Sequence, residues 1–389
     1  MPSPRYNRGM LPSPKQAIGP PQDEAGGLLT IDLDAIVANW RILKGLSGNA
    51  ETAAVVKADA YGCGIAPVGK ALANAGCRTF FVAHVFEGRC VRAIAPDAAV
   101  YVLNGLPPGT SEAFAAADLR PVLGSLEELR EWRMFAKKTG WRGGAALHID
   151  TGMNRLGLSV EDAILLAQSI HADREGITLL MSHLACAETP VHSLNAKQLG
   201  LFREMRALFS GVPGSLANSS GIFLGPDALH DLVRPGVALY GANPTPGHMN
   251  PMHPVVTLQG RVVQVREIAS GDSVGYGATW IASRDSRIAI VSIGYADGLL
   301  RSVSSSGNAP RAEVGLGDKR SPVVGRISMD LLAVDVTDIG GRAPTRGDWV
   351  TLLDDNFGVD ELAAHAGTIG YEILTSLGSR YHRTYRGKA

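Results

Sequence analysis

The sequence has few cysteines, no net charge and no long hydrophobic run, and each of these absences excludes a class of protein. Its 389 residues include only four cysteines, Cys63, Cys77, Cys90 and Cys186, and no C-x-x-C pair. In a chain of this length, scattered cysteines are typical of free thiols in a reducing compartment rather than of a disulfide framework. Lys plus Arg number 37, as do Asp plus Glu, so no overall charge attracts the chain to nucleic acid or anionic lipid.

The apolar runs are also short. The run 288–293 has the length of a strand, far below the roughly 18 residues that span a bilayer. Residues 1–27 carry six prolines among polar residues and lack the continuous apolar stretch of a secretory signal, so we interpret them as a flexible Pro-rich tail. The ten histidines show no H-E-x-x-H spacing, which predicts no metal site. We expect a cytoplasmic protein with neither nucleic-acid nor membrane partners.

The region 28–254 alternates strand-like and helical patterns. Its length, together with the residues that follow, favours two domains. Helical spacing occurs between the apolar runs, for example over 125–138, 160–172 and 196–209. The eight predicted strands are 52–56, 79–83, 99–103, 120–123, 145–149, 177–182, 214–217 and 236–240. This alternation predicts an α/β domain, a (β/α)8 TIM-like barrel over residues 28–254.

After residue 254 the pattern changes. The segments 255–265, 287–293, 328–336 and 348–353 are strand-like, and Gly-Asp, Asp-Gly and Gly-Gly turns separate them in place of helices. Such turns between apolar runs are typical of antiparallel strands. The sequence therefore predicts a second, mainly β domain over residues 255–389.

One lysine stands at a position where barrel enzymes place reacting groups. Four small apolar residues, 53–56, form a predicted buried strand, and Lys57 follows at its carboxyl end. Burial lowers the pKa of an ammonium group, and the neutral amine can condense with an aldehyde. The alternative is that Lys57 only extends its charge into solvent from the strand end.

Residues 57–64, Lys-Ala-Asp-Ala-Tyr-Gly-Cys-Gly, resemble the cofactor-lysine motif of the pyridoxal-phosphate-dependent alanine racemases. Further segments similar to this family follow in order at 148–157, 181–185, 217–221, 233–241, 274–278, 294–298, 324–330 and 367–372. Together they extend from about residue 28 to the end of the chain. The resemblance implies a (β/α)8 barrel followed by a β domain, and a homodimer with shared active sites.

The resemblance also implies a binding site for pyridoxal 5'-phosphate. Lys57 would hold the cofactor covalently, His183 would pack near the pyridine ring, and Arg234 would donate to the ring nitrogen. The phosphate group would be held by hydroxyls and backbone amides of Tyr61, Ser219, Gly236, Val237 and Tyr371, and Asn218 is a further cofactor-binding residue. Because arginine keeps its proton, the ring nitrogen would stay unprotonated, which makes the cofactor a weaker electron sink.

Racemisation needs a proton removed from one face of the α carbon and a proton returned to the other. In the family the cofactor lysine serves one face and a tyrosine of the partner subunit serves the other, which implies Lys57 and Tyr276 here. An ordinary tyrosine has a pKa near 10, so it needs a perturbing neighbour to act as a base. Without the resemblance, Tyr276 is a common strand aromatic of a β core.

The resemblance assigns the substrate contacts to four further residues. Arg155 would contact the phenolic oxygen of the cofactor and the side of the substrate carboxylate, and the backbone amide of Met329 would bind that carboxylate. Tyr295 and Asp330 would lie near the entrance of the site. Some family members carry a carbamate-modified lysine where this chain has His148. The group that orients Arg155 would therefore differ here.

We expect racemisation of L- and D-alanine, which supplies D-alanine for peptidoglycan. Serine stays open as a substrate, because a pocket for small side chains discriminates weakly against one hydroxyl. A decarboxylase of the same fold would offer a carboxylate to the ring nitrogen and a cysteine from the partner, whereas this chain has Arg234 and Tyr276. A non-catalytic cofactor-binding barrel would lack the β domain.

Overall fold

The computed structural model describes residues 19–169, 176–305, 312–340 and 342–388. Its amino-terminal part alternates strands with helices. The strands to residue 240 are Gly27–Asp32, Glu51–Thr52, Ala54–Val55, Thr79–Val82, Ala99–Val102, Arg120–Leu123, Ala145–His148, Ile177–Met181, Gly214–Ser215 and Leu232–Val233. The α-helices are Leu33–Leu46, Ile65–Asn74, Val85–Ile94, Ser111–Ala116, Leu126–Thr139, Val160–Ser169, Ser193–Leu208 and Pro226–Leu229, and the 3-10 helices are Ser220–Leu224 and Val237–Tyr240.

All of these strands except Gly27–Asp32 form a closed parallel barrel. The strands from Ala54–Val55 to Gly214–Ser215 pair in sequence order. Leu232–Val233 closes the ring, because it pairs in parallel with Glu51–Thr52, and the next residue, Arg234, donates its N–H to the Ala217 carbonyl at 2.9 Å on the other side. The predicted (β/α)8 barrel is confirmed.

The eighth strand was predicted in the wrong place. Residues 236–240 contain the 3-10 helix Val237–Tyr240, and the closing strand lies just before it. The strand ladder stops at Pro235, whose carbonyl accepts the Val55 N–H at 3.0 Å and whose nitrogen has no hydrogen to donate. After Pro235, the Gly236 N–H donates to the Ser219 hydroxyl at 2.9 Å instead of to the carbonyl of a neighbouring strand.

The carboxy-terminal part is a mainly β domain, as predicted. Its strands are Val256–Ile268, Ser273–Val274, Trp280–Ile281, Ser286–Val291, Glu313–Leu316, Lys319–Val324, Leu332–Asp335, Trp349–Leu353 and His382–Arg386. The helices Val359–Ala366 and Gly370–Ser376 also belong to it and were not predicted. The long strand Val256–Ile268 organises this domain, because it pairs with three other strands of the large sheet.

The strand Gly27–Asp32 belongs to this carboxy-terminal sheet and not to the barrel. It pairs antiparallel with Val256–Ile268 and parallel with His382–Arg386, which corrects the predicted barrel start at residue 28. Of the predicted tail 1–27, residues 1–18 lie outside the described part of the chain. The remainder is tied down, since the carbonyls of Gln22 and Ala25 accept hydrogen bonds from Arg261.

One apolar core continues through both parts of the molecule. The barrel strands Thr79–Val82 and Ala145–His148 are buried at every position, as expected for parallel strands covered on both faces. In the described ranges, no helix is both long and apolar enough to cross a membrane.

Candidate active site

Lys57 opens a left-handed turn directly after the barrel strand Ala54–Val55. The residues 58–61 all have φ of 53° or 54°, a conformation that costs free energy for residues other than glycine. Backbone hydrogen bonds close the turn, from Ala60 N–H to the Val56 carbonyl and from Gly62 N–H to the Ala58 carbonyl. The turn places Lys57 and Tyr61 at its two ends.

The Lys57 amine is half-buried among charged groups. Burial and the Arg155 guanidinium lower the pKa of Lys57, and the Glu87 carboxylate opposes them. Glu87 is itself buried and accepts the Ala58 N–H at 2.7 Å. A lowered pKa increases the fraction of neutral, nucleophilic amine at pH 7. Sequence reasoning missed Glu87, whose only local signal is its place three residues after the helix cap.

The Ser219 hydroxyl, the Val237 N–H and the Tyr61 hydroxyl form a small cradle around Gly236, beside the turn. The Ser219 hydroxyl accepts the N–H groups of Gly236 at 2.9 Å and Ala238 at 3.3 Å, so its own hydrogen is free to be donated. The Val237 N–H, at the start of a 3-10 helix, has no acceptor within the described chain. A Cβ on Gly236 would lie 2.4 Å from the Tyr61 hydroxyl oxygen, so only glycine lets these donors approach.

Tyrosines form the wall of the cradle. Tyr61 is buried and stacks on Tyr240, with the ring centroids 4.6 Å apart. The ring centroid of Tyr371 lies 6.1 Å from that of Tyr61. Burial raises the pKa of Tyr61 above its usual range and that of Tyr371 to about 12. Both phenols therefore stay protonated near neutral pH and can donate to an anion.

Arg234 is a buried cation in the barrel. It donates to the Ser215 hydroxyl and to the Ser182 carbonyl, and its Nη2 lies 3.5 Å from His183 Nδ1. Its Nε donates no hydrogen bond within the described residues. Burial lowers the pKa of Arg234 to about 9, which still leaves the side chain charged at pH 7. Burial and then Arg234 hold the pKa of His183 well below 6.5, so this imidazole is neutral.

The pair His148 and Arg155 departs from the arrangement that the resemblance implies. His148 is buried, and burial, followed by the Arg234 charge, lowers its pKa to about 4. A neutral imidazole cannot supply the negative charge of a carbamate. Arg155 is exposed, and no side-chain hydrogen bond or ion pair holds it in the part of the chain that the structure describes.

The remaining predicted residues lie in 3-10 helices and loops of the carboxy-terminal domain. Tyr276 is 70% exposed, Met329 53% and Tyr295 41%. The Tyr295 N–H donates to the Ser328 carbonyl at 3.1 Å, so their loops pack together, and the Met329 N–H has no acceptor among the described residues. Asp330 pairs with Arg380 at 2.8 Å.

The structure therefore divides the predicted residues into two groups. The barrel group is Lys57, Tyr61, His183, Asn218, Ser219, Arg234, Gly236, Val237 and Tyr371, and the exposed group is Tyr276, Tyr295, Met329 and Asp330. Across the described ranges, no hydrogen bond, ion pair or ring contact joins members of the two groups. The barrel group offers a nucleophilic amine, a cradle of neutral donors and a buried cation. These features fit an aldehyde that carries a phosphate group.

Comparison with known proteins identifies the family. The alanine racemase N-terminal domain model matches residues 31–244, and the C-terminal domain model matches residues 255–385. An alanine racemase of Methylobacterium nodulans is 52% identical over 92% of this chain and 96% of its own length. Relatives named alanine racemase, biosynthetic, from Agrobacterium fabrum and alanine racemase, catabolic, from Mesorhizobium japonicum are 48% and 47% identical, over 92% and 96% of this chain and 93% and 97% of their own lengths.

A solved structure agrees with these matches. The crystal structure of alanine racemase from Bartonella henselae with covalently bound pyridoxal phosphate superposes with a TM-score of 0.88 at 40% identity, and it covers 93% of this chain and all of that one. The family models together match most of the chain, and no comparison favours a decarboxylase or a single-domain barrel. The chain belongs to the alanine racemase family.

Proposed function

We propose that this protein interconverts L- and D-alanine with pyridoxal 5'-phosphate bound at Lys57. The observation that carries the proposal is the Lys57 amine, half-buried and lowered in pKa, at one end of a turn whose other end, Tyr61, faces the donor cradle of Gly236. The Bartonella henselae relative, whose structure contains covalently bound pyridoxal phosphate, supports the same cofactor here.

Different residues of the barrel group would bind different parts of the cofactor. Lys57 Nζ would hold the cofactor covalently by condensing with its aldehyde with loss of water, and the Ser219 and Tyr61 hydroxyls and the Val237 N–H would bind its phosphate. Arg234 Nε, which has no partner among the described residues, would donate to the ring nitrogen. When bound, the cofactor withdraws electrons from the α carbon of an attached amino acid and thereby acidifies its hydrogen. Because Arg234 donates rather than gives up its proton, that withdrawal is moderate.

Two groups exchange protons on opposite faces of the α carbon. In one direction Lys57 Nζ accepts the proton from one face while Tyr276 Oη gives a proton to the other, and the reverse reaction exchanges these roles. One proton leaves and one returns, so no oxidant or reductant is needed. Tyr276 is exposed and makes no hydrogen bond or ring contact with the barrel group among the described residues, which supports its delivery to the site of a partner subunit in a homodimer.

The substrate carboxylate faces positive and neutral donors. Arg155, exposed near Lys57, and the free Met329 N–H of the exposed group are suited to bind it, with Tyr295 and Asp330 at the entrance. Alanine offers only a methyl group beyond these contacts. A cytoplasmic role in supplying D-alanine for peptidoglycan follows from the family resemblance, and relatives with both biosynthetic and catabolic names match the chain.

A chiral assay with purified protein tests the proposal. Protein incubated with pyridoxal phosphate is given each L-amino acid separately, and the D-enantiomer is quantified by chromatography. We expect D-alanine as the main product, a cofactor absorbance band in the wild-type protein and its loss in Lys57→Ala. An unchanged band in that variant, or release of carbon dioxide in place of racemisation, would overturn the proposal.

Mixing of two inactive variants tests the shared site. Heterodimers of Lys57→Ala and Tyr276→Phe contain one site with both native residues, so activity is expected to return towards a quarter of the wild-type value under conditions in which subunits exchange, on the order of the statistical share of intact sites. A complete absence of rescue would contradict the delivery of Tyr276 by the partner.

A further inference from the structure

Two barrel helices, Val85–Ile94 and Leu126–Thr139, begin with the same carboxylate arrangement. Glu87 Oε2 accepts the N–H groups of Ala83 and His84 at 2.8 and 3.0 Å, in the loop before its own helix. Glu128 Oε2 accepts those of Gly124 and Ser125 at 2.7 and 3.1 Å in the same way. Each glutamate therefore closes the start of its own helix.

In both cases the second carboxylate oxygen reaches the preceding loop. Glu87 Oε1 accepts the Ala58 N–H at 2.7 Å, and Glu128 Oε1 accepts the Leu106 N–H at 2.9 Å. The loops that they reach differ. Ala58 follows Lys57 directly and begins the left-handed turn, whereas the loop of Leu106 carries none of the residues of either active-site group. Glu128 is therefore a matched control for Glu87 within the same chain.

The left-handed turn needs an external partner. Its four non-glycine residues, 58–61, all have positive φ, so the isolated turn is disfavoured. A hydrogen bond to a buried carboxylate is stronger than one between neutral groups, and Glu87 is only 4% exposed. Tyr61, at the end of the turn, is stacked on Tyr240 and cannot follow a change at the other end.

We propose that Glu87 is a positioning residue, whose carboxylate holds the turn 58–61 so that Lys57 Nζ and Tyr61 Oη keep the separation that the two ends of the cofactor require. The inference rests on the proposed function, which assigns Lys57 to the aldehyde and Tyr61 to the phosphate. It goes beyond that function by assigning a role to a residue that touches neither substrate nor cofactor.

The charge of Glu87 provides an independent signature. Its carboxylate raises the pKa of Lys57 against the effects of burial and Arg155. Removal of this negative charge is therefore expected to lower the pKa of the amine further. Glu128 caps its helix in the same way but is not among the groups that shift the pKa of Lys57, so it is the control for this titration.

The experiment compares Glu87→Gln with Glu128→Gln in the full-length protein. Pyridoxal phosphate is titrated into cofactor-free protein and followed by absorbance, and thermal unfolding is measured in parallel. In the absence of cofactor, acetylation of Lys57 is followed against pH by mass spectrometry. We expect roughly tenfold or greater weakening of cofactor binding in Glu87→Gln, as for a lost hydrogen bond to a charged group, and an acetylation midpoint at lower pH. Glu128→Gln is expected to unfold at a lower temperature, with the cofactor affinity and the acetylation midpoint of Lys57 unchanged.

Equal cofactor affinity in the two variants, or an equal loss in both, would overturn the positioning role. If Glu87→Gln does not fold, the pair Glu87→Asp and Glu128→Asp replaces it. Aspartate keeps the charge and can cap its helix, but it is one methylene shorter and does not reach Ala58, so weaker cofactor binding is expected in Glu87→Asp alone. A wild-type protein that binds no cofactor would refute the proposed function instead, and the acetylation profiles would still test the effect of Glu87 on Lys57.

Discussion

The substitution Gly236→Ala tests the phosphate cradle most directly. Gly236 has φ of −122° and ψ of −91° and directly precedes the 3-10 helix Val237–Tyr240. The new Cβ would lie 2.4 Å from the Tyr61 hydroxyl oxygen, whereas ordinary contacts begin at 3.4 Å. The two groups must therefore separate by about 1 Å, which is the difference between these distances. Because Tyr61 is only 5% exposed and stacks on Tyr240, its ring has little room to move, and the separation distorts the cradle between its hydroxyl and the Gly236 backbone.

The expected loss follows from the hydrogen bond of this hydroxyl to the phosphate. A hydrogen bond to a charged group contributes about 1.5 to 3 kcal/mol, which corresponds to roughly ten- to hundredfold in affinity. Overpacking of a filled site destabilises a fold by about 1 to 3 kcal/mol, and this effect is measured separately by urea unfolding.

Titration with two aldehydes isolates the phosphate contribution. Pyridoxal phosphate should bind the variant more weakly, whereas pyridoxal, which lacks the phosphate, should bind wild-type and variant protein alike. Gly45→Ala is the control, because a Cβ on Gly45 meets no atom within 4 Å. Unchanged affinity for pyridoxal phosphate, or an equal loss for both aldehydes, would refute the assignment of the cradle.

Three further predictions address the bases, the histidines and the contact between the domains. Tyr276→Phe should slow the loss of α-deuterium unequally from L- and D-alanine, because only one face of the α carbon loses its base, and equal effects on the two enantiomers would exclude Tyr276 from proton transfer. The pKa of His148 is about 4 in the folded protein against an ordinary 6.5, so the unfolded chain binds the proton first and stability should fall by on the order of 3 kcal/mol as the pH falls from 6.5 to 4. Urea unfolding of His148→Gln should show a smaller loss over that range, and an identical slope would contradict the neutral imidazole. Arg383 donates to the carbonyls of Gly62, Leu377 and Gly378, so Arg383→Met should destabilise by roughly 2 to 5 kcal/mol in urea, whereas Arg386→Met on the same strand breaks only an exposed ion pair with Asp32 and should cost less than about 1 kcal/mol.

The sequence alone was sufficient for the features that depend on local pattern. The alternation of apolar runs and helical spacing predicted the barrel, since each strand and helix buries its own face with its own period. The small apolar residues before Lys57 predicted a strand end, and the structure has Lys57 directly after Ala54–Val55. The pattern was wrong at 236–240, because the apolar run there suits a buried 3-10 helix as well as a strand, and the tertiary contacts with Ser219 select the helix.

Only the tertiary structure determined which distant residues meet. The strand Gly27–Asp32 precedes the barrel in sequence yet pairs with His382–Arg386, because pairing depends on the register of strands far apart in the chain. Glu87 reaches Ala58 across 29 residues, and the space above Gly236 is set by Tyr61 on another loop. Periodicity in a sequence specifies which face of an element is buried, whereas barrel closure specifies which loops lie side by side and therefore which side chains can act together.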